Sequence, residues 1–272
     1  MSWQAVARND LRSALNERGS WGLFAGFLLG FGGLAVLLVM LGDPEFEGYL
    51  WLVAQGVGLL VPLAGVVLGY EAVVGERESG TAVLTLSMPH SRADLVIGKL
   101  AGRTALLTAV ITGAALVTSL LILLFYPTFS VTRYVGLVLV TIAYGTVFLC
   151  ISAALSMALS TSRRVIAAAF GTYIGLILSW SPAIDLIELI LFRGRPGQSP
   201  DPETWATLLT FVGPNTSFTY LVSETLDIGT VPPGISDSSA SFITPGVAML
   251  AFVVWSALPV VVGYQSFRRS DL

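Results

Sequence analysis

Long apolar runs separated by short polar ones dominate this chain. Five of the runs, 21 to 41, 50 to 70, 104 to 125, 135 to 159 and 247 to 264, approach the roughly 20 residues that an α-helix needs to cross a hydrocarbon core. A sixth, 165 to 180, is shorter, but its apolar pattern resumes as AIDLIELILF after Pro182. The pattern therefore predicts six spans, and the expected fold class is an all-α integral membrane protein. The first run follows a polar start and shows no small-residue cleavage site, so it reads as an anchor and not as a secretory signal.

The polar segments carry patterns of their own. In residues 1–20, Trp3, Val6, Ala7, Leu11, Ala14 and Leu15 recur at helical spacing opposite Arg8, Asp10, Arg12 and Glu17, which predicts an amphipathic surface helix. Such a helix serves equally well to bind membrane lipid or to contact a partner. Residues 181–246 are too long for a turn. Ser181-Pro182 and Asp201-Pro202 mark helix starts and Gly213-Pro214 a helix stop, giving short helices at 182 to 192, 202 to 212 and 216 to 226. In the first span, Gly22, Gly26 and Gly30 fall four residues apart, and Gly171 and Gly175 repeat the spacing in the fifth. A face without side chains lets another helix come close, within one subunit or between two.

Only 11% of the residues are charged, far below the level of a soluble domain. The few charges are informative because Lys and Arg near span ends stay on the cytoplasmic side. With six spans and both termini inside, the inner segments hold eleven of the fourteen Lys and Arg, while the outer ones hold ten of the seventeen acids. Adding or removing a span breaks that pattern. Within the spans, acids occur only at edges, as Glu71 and as Asp185 and Glu188 of the resumed stretch, which argues against ion-coupled transport. Gln55 is the most polar side chain expected inside a span, followed by hydroxyls including Thr108 and Thr112. These are the candidates for a substrate path, although membrane helices commonly satisfy Ser and Thr on their own backbone.

Other chemistry is excluded. His90 is the only histidine and Cys150 the only cysteine, so one chain can form neither a two-histidine metal site nor a disulfide. The nearest approach to a phosphate-binding loop, ADLVIGKLAG, lacks the first glycine and the hydroxyl after Lys99. No metal, cofactor or nucleic acid is expected. A membrane protease built around the glutamates of GERESGT would need Glu76 or Glu78 to face His or Asn inside the membrane, and the spans offer neither. A non-transporting membrane anchor for an outer partner is the other alternative.

The loop from Glu71 to Arg103 is the most patterned polar segment. YEAVVGERESG continues the second span as a helix bearing Glu71, Glu76, Arg77 and Glu78, and Gly80 stops it. Ser91 and Asp94 then form a capping box that starts a helix running into the third span. The run Glu71, Glu76, Arg77, Glu78, Ser79, Gly80, Thr81, Leu84, Pro89, Arg92, Gly98 and Lys99 resembles the first cytoplasmic loop of ABC-2 type transporter permeases. The whole chain resembles that family too, with residues 1–272 as a single transmembrane domain. It consists of an interface helix at 1–20, a coupling loop at 71–103 and an extracytoplasmic helical region at 181–246. The architecture is most similar to permeases of exporters that serve nitrous oxide reductase maturation. The resemblance implies a non-enzymatic transport subunit in the plasma membrane, working as a homodimer or with a related permease. A separate ABC ATPase would drive it. It also implies that Glu71, Glu76, Arg77, Glu78, Ser79, Gly80 and Thr81 couple to that ATPase, while Lys99 and Arg103 mark the membrane boundary.

Overall fold

The computed structural model describes residues 3–42, 44–75, 92–191, 204–227 and 240–269, and these residues are helical with no strand among them. In chain order the helices are α1 (Trp3–Asn16), α2 (Arg18–Met40), α3 (Phe46–Gly69), α4 (Arg92–Phe125) and α5 (Val131–Ala158). They continue as α6 (Ser162–Ile177), α7 (Trp180–Leu191), α8 (Thr204–Phe211), α9 (Pro214–Leu226) and α10 (Pro245–Arg269). Five of them, α2, α3, α4, α5 and α10, are long and apolar enough to cross a membrane. The pair α6 and α7, bent by 62°, is a sixth if the two are one broken span. The expected capping box at the start of α4 has Asp94 in the first helical turn, while Ser91 lies outside the described residues.

α5 is the centre of the bundle and packs against α3, α10, α9, α4 and α6. Its neighbours come close because glycines face it. A Cβ added at Gly65 of α3 would stand 2.5 Å from the Gly145 carbonyl oxygen, and one at Gly69 would stand 2.6 Å from that of Leu149. On the other flank, a Cβ at Gly263 of α10 would stand 2.6 Å from the Ala154 carbonyl oxygen. No side chain fits in such gaps, so these crossings are set by backbone contact. Around them Leu106, Leu107, Ile111, Leu137, Tyr144 and Phe148 are fully buried.

Contacts place both chain ends beside one another. α1 lies along the start of α4, where Gly98 and Gly102 admit Val6 and Ala7. Arg92 at the start of α4 bonds the carbonyls of Phe267 and Arg268 at the end of α10. α1, the start of α4 and the end of α10 therefore share one end of the bundle, called here the near end. At the far end, Arg133 pairs with Glu47 at 3.0 Å and with Asp227 at 3.6 Å, and an aromatic cluster gathers Phe46, Tyr49, Tyr126, Phe129 and Tyr134.

Three sequence expectations change. The second span does not run on as a helix through Glu71: it gives way to a turn at 70–73. The N–H groups of Val73 and Val74 leave the helix to donate to Ser156 Oγ at 3.0 and 2.9 Å. Gly213-Pro214 is not only a stop, since Gly213 is the N-cap of α9 with Pro214 in its first turn. Asp10, assigned to the polar face of the first helix, points inward. It lies in register with Trp3, Ala7 and Ala14 on the side that meets α4.

Candidate functional site

The loop that carries the coupling expectation is described only at its two stalks. Glu71 is described, whereas Glu76, Arg77, Glu78, Ser79, Gly80 and Thr81 lie outside the described residues. The first stalk leaves α3 through the turn fixed by Ser156. There Tyr70 donates to Glu71 Oε1 at 2.6 Å, and that bond pushes the phenol up to about 12. Ser156 is fully buried on α5, so the loop's exit is tied to the central helix of the bundle.

The second stalk is the start of α4, and charged groups hold it. Asp10 of α1 stands between Lys99 at 3.7 Å and Arg103 at 3.1 Å, with all three side chains only 10 to 13% exposed. Arg103 also donates to the Leu68 carbonyl of α3 at 3.3 Å. One guanidinium thus joins α1, the end of α3 and the start of α4. Lys99 and Arg103, expected to mark the membrane boundary, form this internal network as well. At the tip of the same stalk, the Arg92 guanidinium covers the Phe267 ring at 5.4 Å while bonding the end of α10. Sequence reading missed Asp10, Ser156 and Arg92 as anchors.

The glycine face of α2 is open. A Cβ at Gly22 or Gly26 would meet nothing within 4 Å, and one at Gly30 would meet only Leu60 at 3.9 Å. Among the described residues, packing within the subunit therefore does not account for Gly22 and Gly26. The same holds for Gly171 and Gly175 on α6. Gly22, Gly26 and Gly30 line an apolar groove between α2 and α3, together with Phe27, Val57 and Leu60.

Gln55, expected inside its span, reaches the surface of the chain and lines a cavity with Trp51, Asn215, Phe218 and Thr219. Asn215 begins α9. Its Oδ1 lies 3.3 Å from the Tyr144 hydroxyl, and Tyr144 also lies 3.4 Å from the Gly58 carbonyl. Since Asp227, just beyond α9, pairs with Arg133 at the far end, α9 enters the bundle from there. It reaches the level of Tyr144, about 16 Å along α5 at 1.5 Å per residue. Thr108 and Thr112 line a different surface, a shallow groove on α4 with Thr104. Gln55 and the two threonines are thus not brought together.

The described residues show two anchored stalks, an open helix face, and a cavity holding Gln55 and Asn215 halfway through the bundle. Residues 4–272 match the family model described as ABC-2 family transporter protein. A protein of Pseudomonas aeruginosa named probable ABC transporter permease protein NosY is 27% identical over 223 residues, covering 78% of this chain and 77% of its own. Its namesake from Stutzerimonas stutzeri is 26% identical over 280 residues, covering 97% of each. The narrower likeness expected from architecture thus agrees with these relatives. The chain is a multi-pass membrane protein that belongs to the ABC-2 transporter family, as the permease subunit of an ABC transporter.

Proposed function

We propose that this permease works as a dimer in the plasma membrane, exporting its cargo, and that a separate ABC ATPase drives it by docking on the 71–103 loop. The observation that carries this reading is the fixing of both stalks of that loop. Asp10, Lys99 and Arg103 hold the second stalk to α1, Arg103 ties it to the end of α3, and Ser156 holds the first stalk to α5. A loop so held passes a push into several helices at once, whereas a slack loop would dissipate it. Glu71, Glu76, Arg77, Glu78, Ser79, Gly80 and Thr81 are the docking residues in this reading.

The near end faces the cytoplasm and 201 to 239 faces out, following the excess of Lys and Arg on the loops assigned inside. The open faces of α2 and α6 meet a second permease subunit. Cargo passes by the Gln55 and Asn215 pocket, where amides stand at mid-bundle beside Trp51 and Phe218.

The test reverses the loop's charge. Glu76→Lys with Glu78→Lys leaves the permease inserted, because both positions flank the membrane and the change keeps the inside positive. It abolishes ATPase pull-down and permease-dependent ATP hydrolysis, since like charges in a docking groove cost several kcal/mol. Glu17→Lys, a comparable change elsewhere, leaves both intact. Wild-type binding and hydrolysis by the double variant would remove the docking assignment.

A further inference from the structure

α10 touches the coupling loop at one end and the α7–α9 module further along. At its near end, Arg92 Nη1 donates to the Phe267 carbonyl at 2.7 Å and to that of Arg268 at 3.2 Å. Carbonyls in the last turn of a helix have no partner of their own, so Arg92 caps α10 from a distant part of the chain. Phe267 is buried among Ala72, Val73, Leu95, Val96 and Met157, residues from both stalks of the loop and from α5. Further along, Trp255 Nε1 donates to the Val212 carbonyl at 2.9 Å, just past the end of α8. The Trp180 ring packs edge-on against it at 5.6 Å, with its own Nε1 on the Leu209 carbonyl. Phe252, one turn away, stacks on Tyr144, which stacks in turn on Phe218 of α9.

Between these two contacts α10 contains Pro259. A proline has no N–H to give, so the carbonyl four residues earlier, that of Trp255 itself, loses its helical bond. The helix is therefore stiff from Gly263 to its capped end and softened next to Trp255.

We propose that α10 is the lever by which the 71–103 loop acts on the α7–α9 module, with Arg92 as the positioning residue at one end and Trp255 at the other. The inference rests on the reading that an ATPase docks on the loop, and adds to it where the movement goes. A displacement of the Arg92 stalk carries the last turns of α10 with it. Gly263 packs backbone to backbone on Ala154, so these turns cannot move closer to α5 and instead pivot about that contact. The helix therefore bends at Pro259, and Trp255 draws on Val212 and so on the start of α9, where Asn215 lines the mid-bundle pocket.

The experiment uses the permease with its ATPase in proteoliposomes, in a Cys150→Ser background with Glu224→Cys as reporter on the exposed side of α9. The rate of reaction with a membrane-impermeant maleimide is measured without nucleotide and after trapping with ATP and vanadate. With Arg92 and Trp255 native, trapping changes the rate. Arg92→Gln loses that change while the ATPase still co-purifies, and Trp255→Phe, which keeps an aromatic ring but not the donor, loses it too. The double variant loses no more than either single one, because the two act through one helix. Trp255→Phe is remote from the loop and carries the test even where Arg92→Gln fails to accumulate in the membrane. A retained change in either single variant overturns the proposal, as does loss of ATPase binding in Arg92→Gln, which would make Arg92 a docking residue. Failure of the underlying reading looks different: the ATPase does not bind, or the reporter with both residues native does not respond.

Discussion

Asp10 shows how one residue can be decided by three dimensions. Read along the chain, it belongs with Arg8 and Arg12 on a polar face. In the structure it occupies the narrow space over Gly102, where an added Cβ would come 2.9 Å from its Oδ2, and it faces two cations. Removing one member of a buried charge group leaves the others without compensation, at a cost of about 3 to 5 kcal/mol. Asp10→Asn is therefore expected to lower the thermal midpoint of the permease in detergent and to reduce its yield from membranes. Asp10→Glu keeps the charge but crowds the glycine contact, and should fall between the two. A midpoint for Asp10→Asn equal to wild type would show that this network does not hold α1. Ser156 poses a similar case, since a serine within a long apolar run gives no sign that it accepts two N–H groups from a turn some eighty positions away. Ser156→Ala leaves both donors buried and unpaired, at about 1 to 3 kcal/mol for each unsatisfied group. Proteolysis within 76–91 should then proceed faster than in wild type.

At the scale of elements, hydropathy made the long helices legible because each must satisfy its whole backbone within itself and present apolar atoms outward. It could not reveal which glycines pack. Gly22, Gly26 and Gly30 drew notice by their spacing, yet a Cβ at Gly22 or Gly26 would meet nothing within 4 Å among the described residues. Gly65 and Gly69, with the same spacing, set the crossing of α3 on α5. The distinction depends on which face of a helix meets which neighbour, and helical spacing alone leaves that open. The end of α3 was misplaced for a related reason: helix propensity continues past Gly69, but Ser156 on another helix competes for the next N–H groups. The two glycine sets should separate in one comparison. Gly65→Leu forces bulk into a closed crossing and is expected to cost at least the roughly 1 to 3 kcal/mol of an overpacked core, seen as loss of folded permease. Gly26→Leu should leave the folded subunit intact and lower its dimer content, measured by cross-linking or single-molecule photobleaching in membranes. Equal dimer content with poor folding for Gly26→Leu would refute the interface role proposed for α2.

For the whole molecule, the course of the chain can be followed by counting crossings. α1 and the end of α10 share the near end, joined through α4 by the Gly98 contact and the Arg92 bonds. A chain that starts and ends on one side crosses an even number of times, so the five long helices require one crossing more. In the six-span reading proposed here α6 and α7 together supply it: α6 starts just past the near end of α5, and the chain beyond α9 would begin α10 from the far end. This count agrees with the charge distribution, which uses none of the same information. What charge adds is the sign of the sides, because Lys and Arg resist translocation while the packing of helices is indifferent to direction. The expected outcome is that both termini and 75 to 91 face the cytoplasm and 201 to 239 the outside. Single cysteines at Ser79 and Ser238, each in a Cys150→Ser background, should react with an impermeant thiol reagent from opposite sides. Ser238→Cys labels in intact cells, and Ser79→Cys labels only in inverted vesicles. Labelling of both from one side would mean that the 62° bend between α6 and α7 returns the chain to the side it left, leaving α10 to run in the opposite sense and contradicting the shared near end.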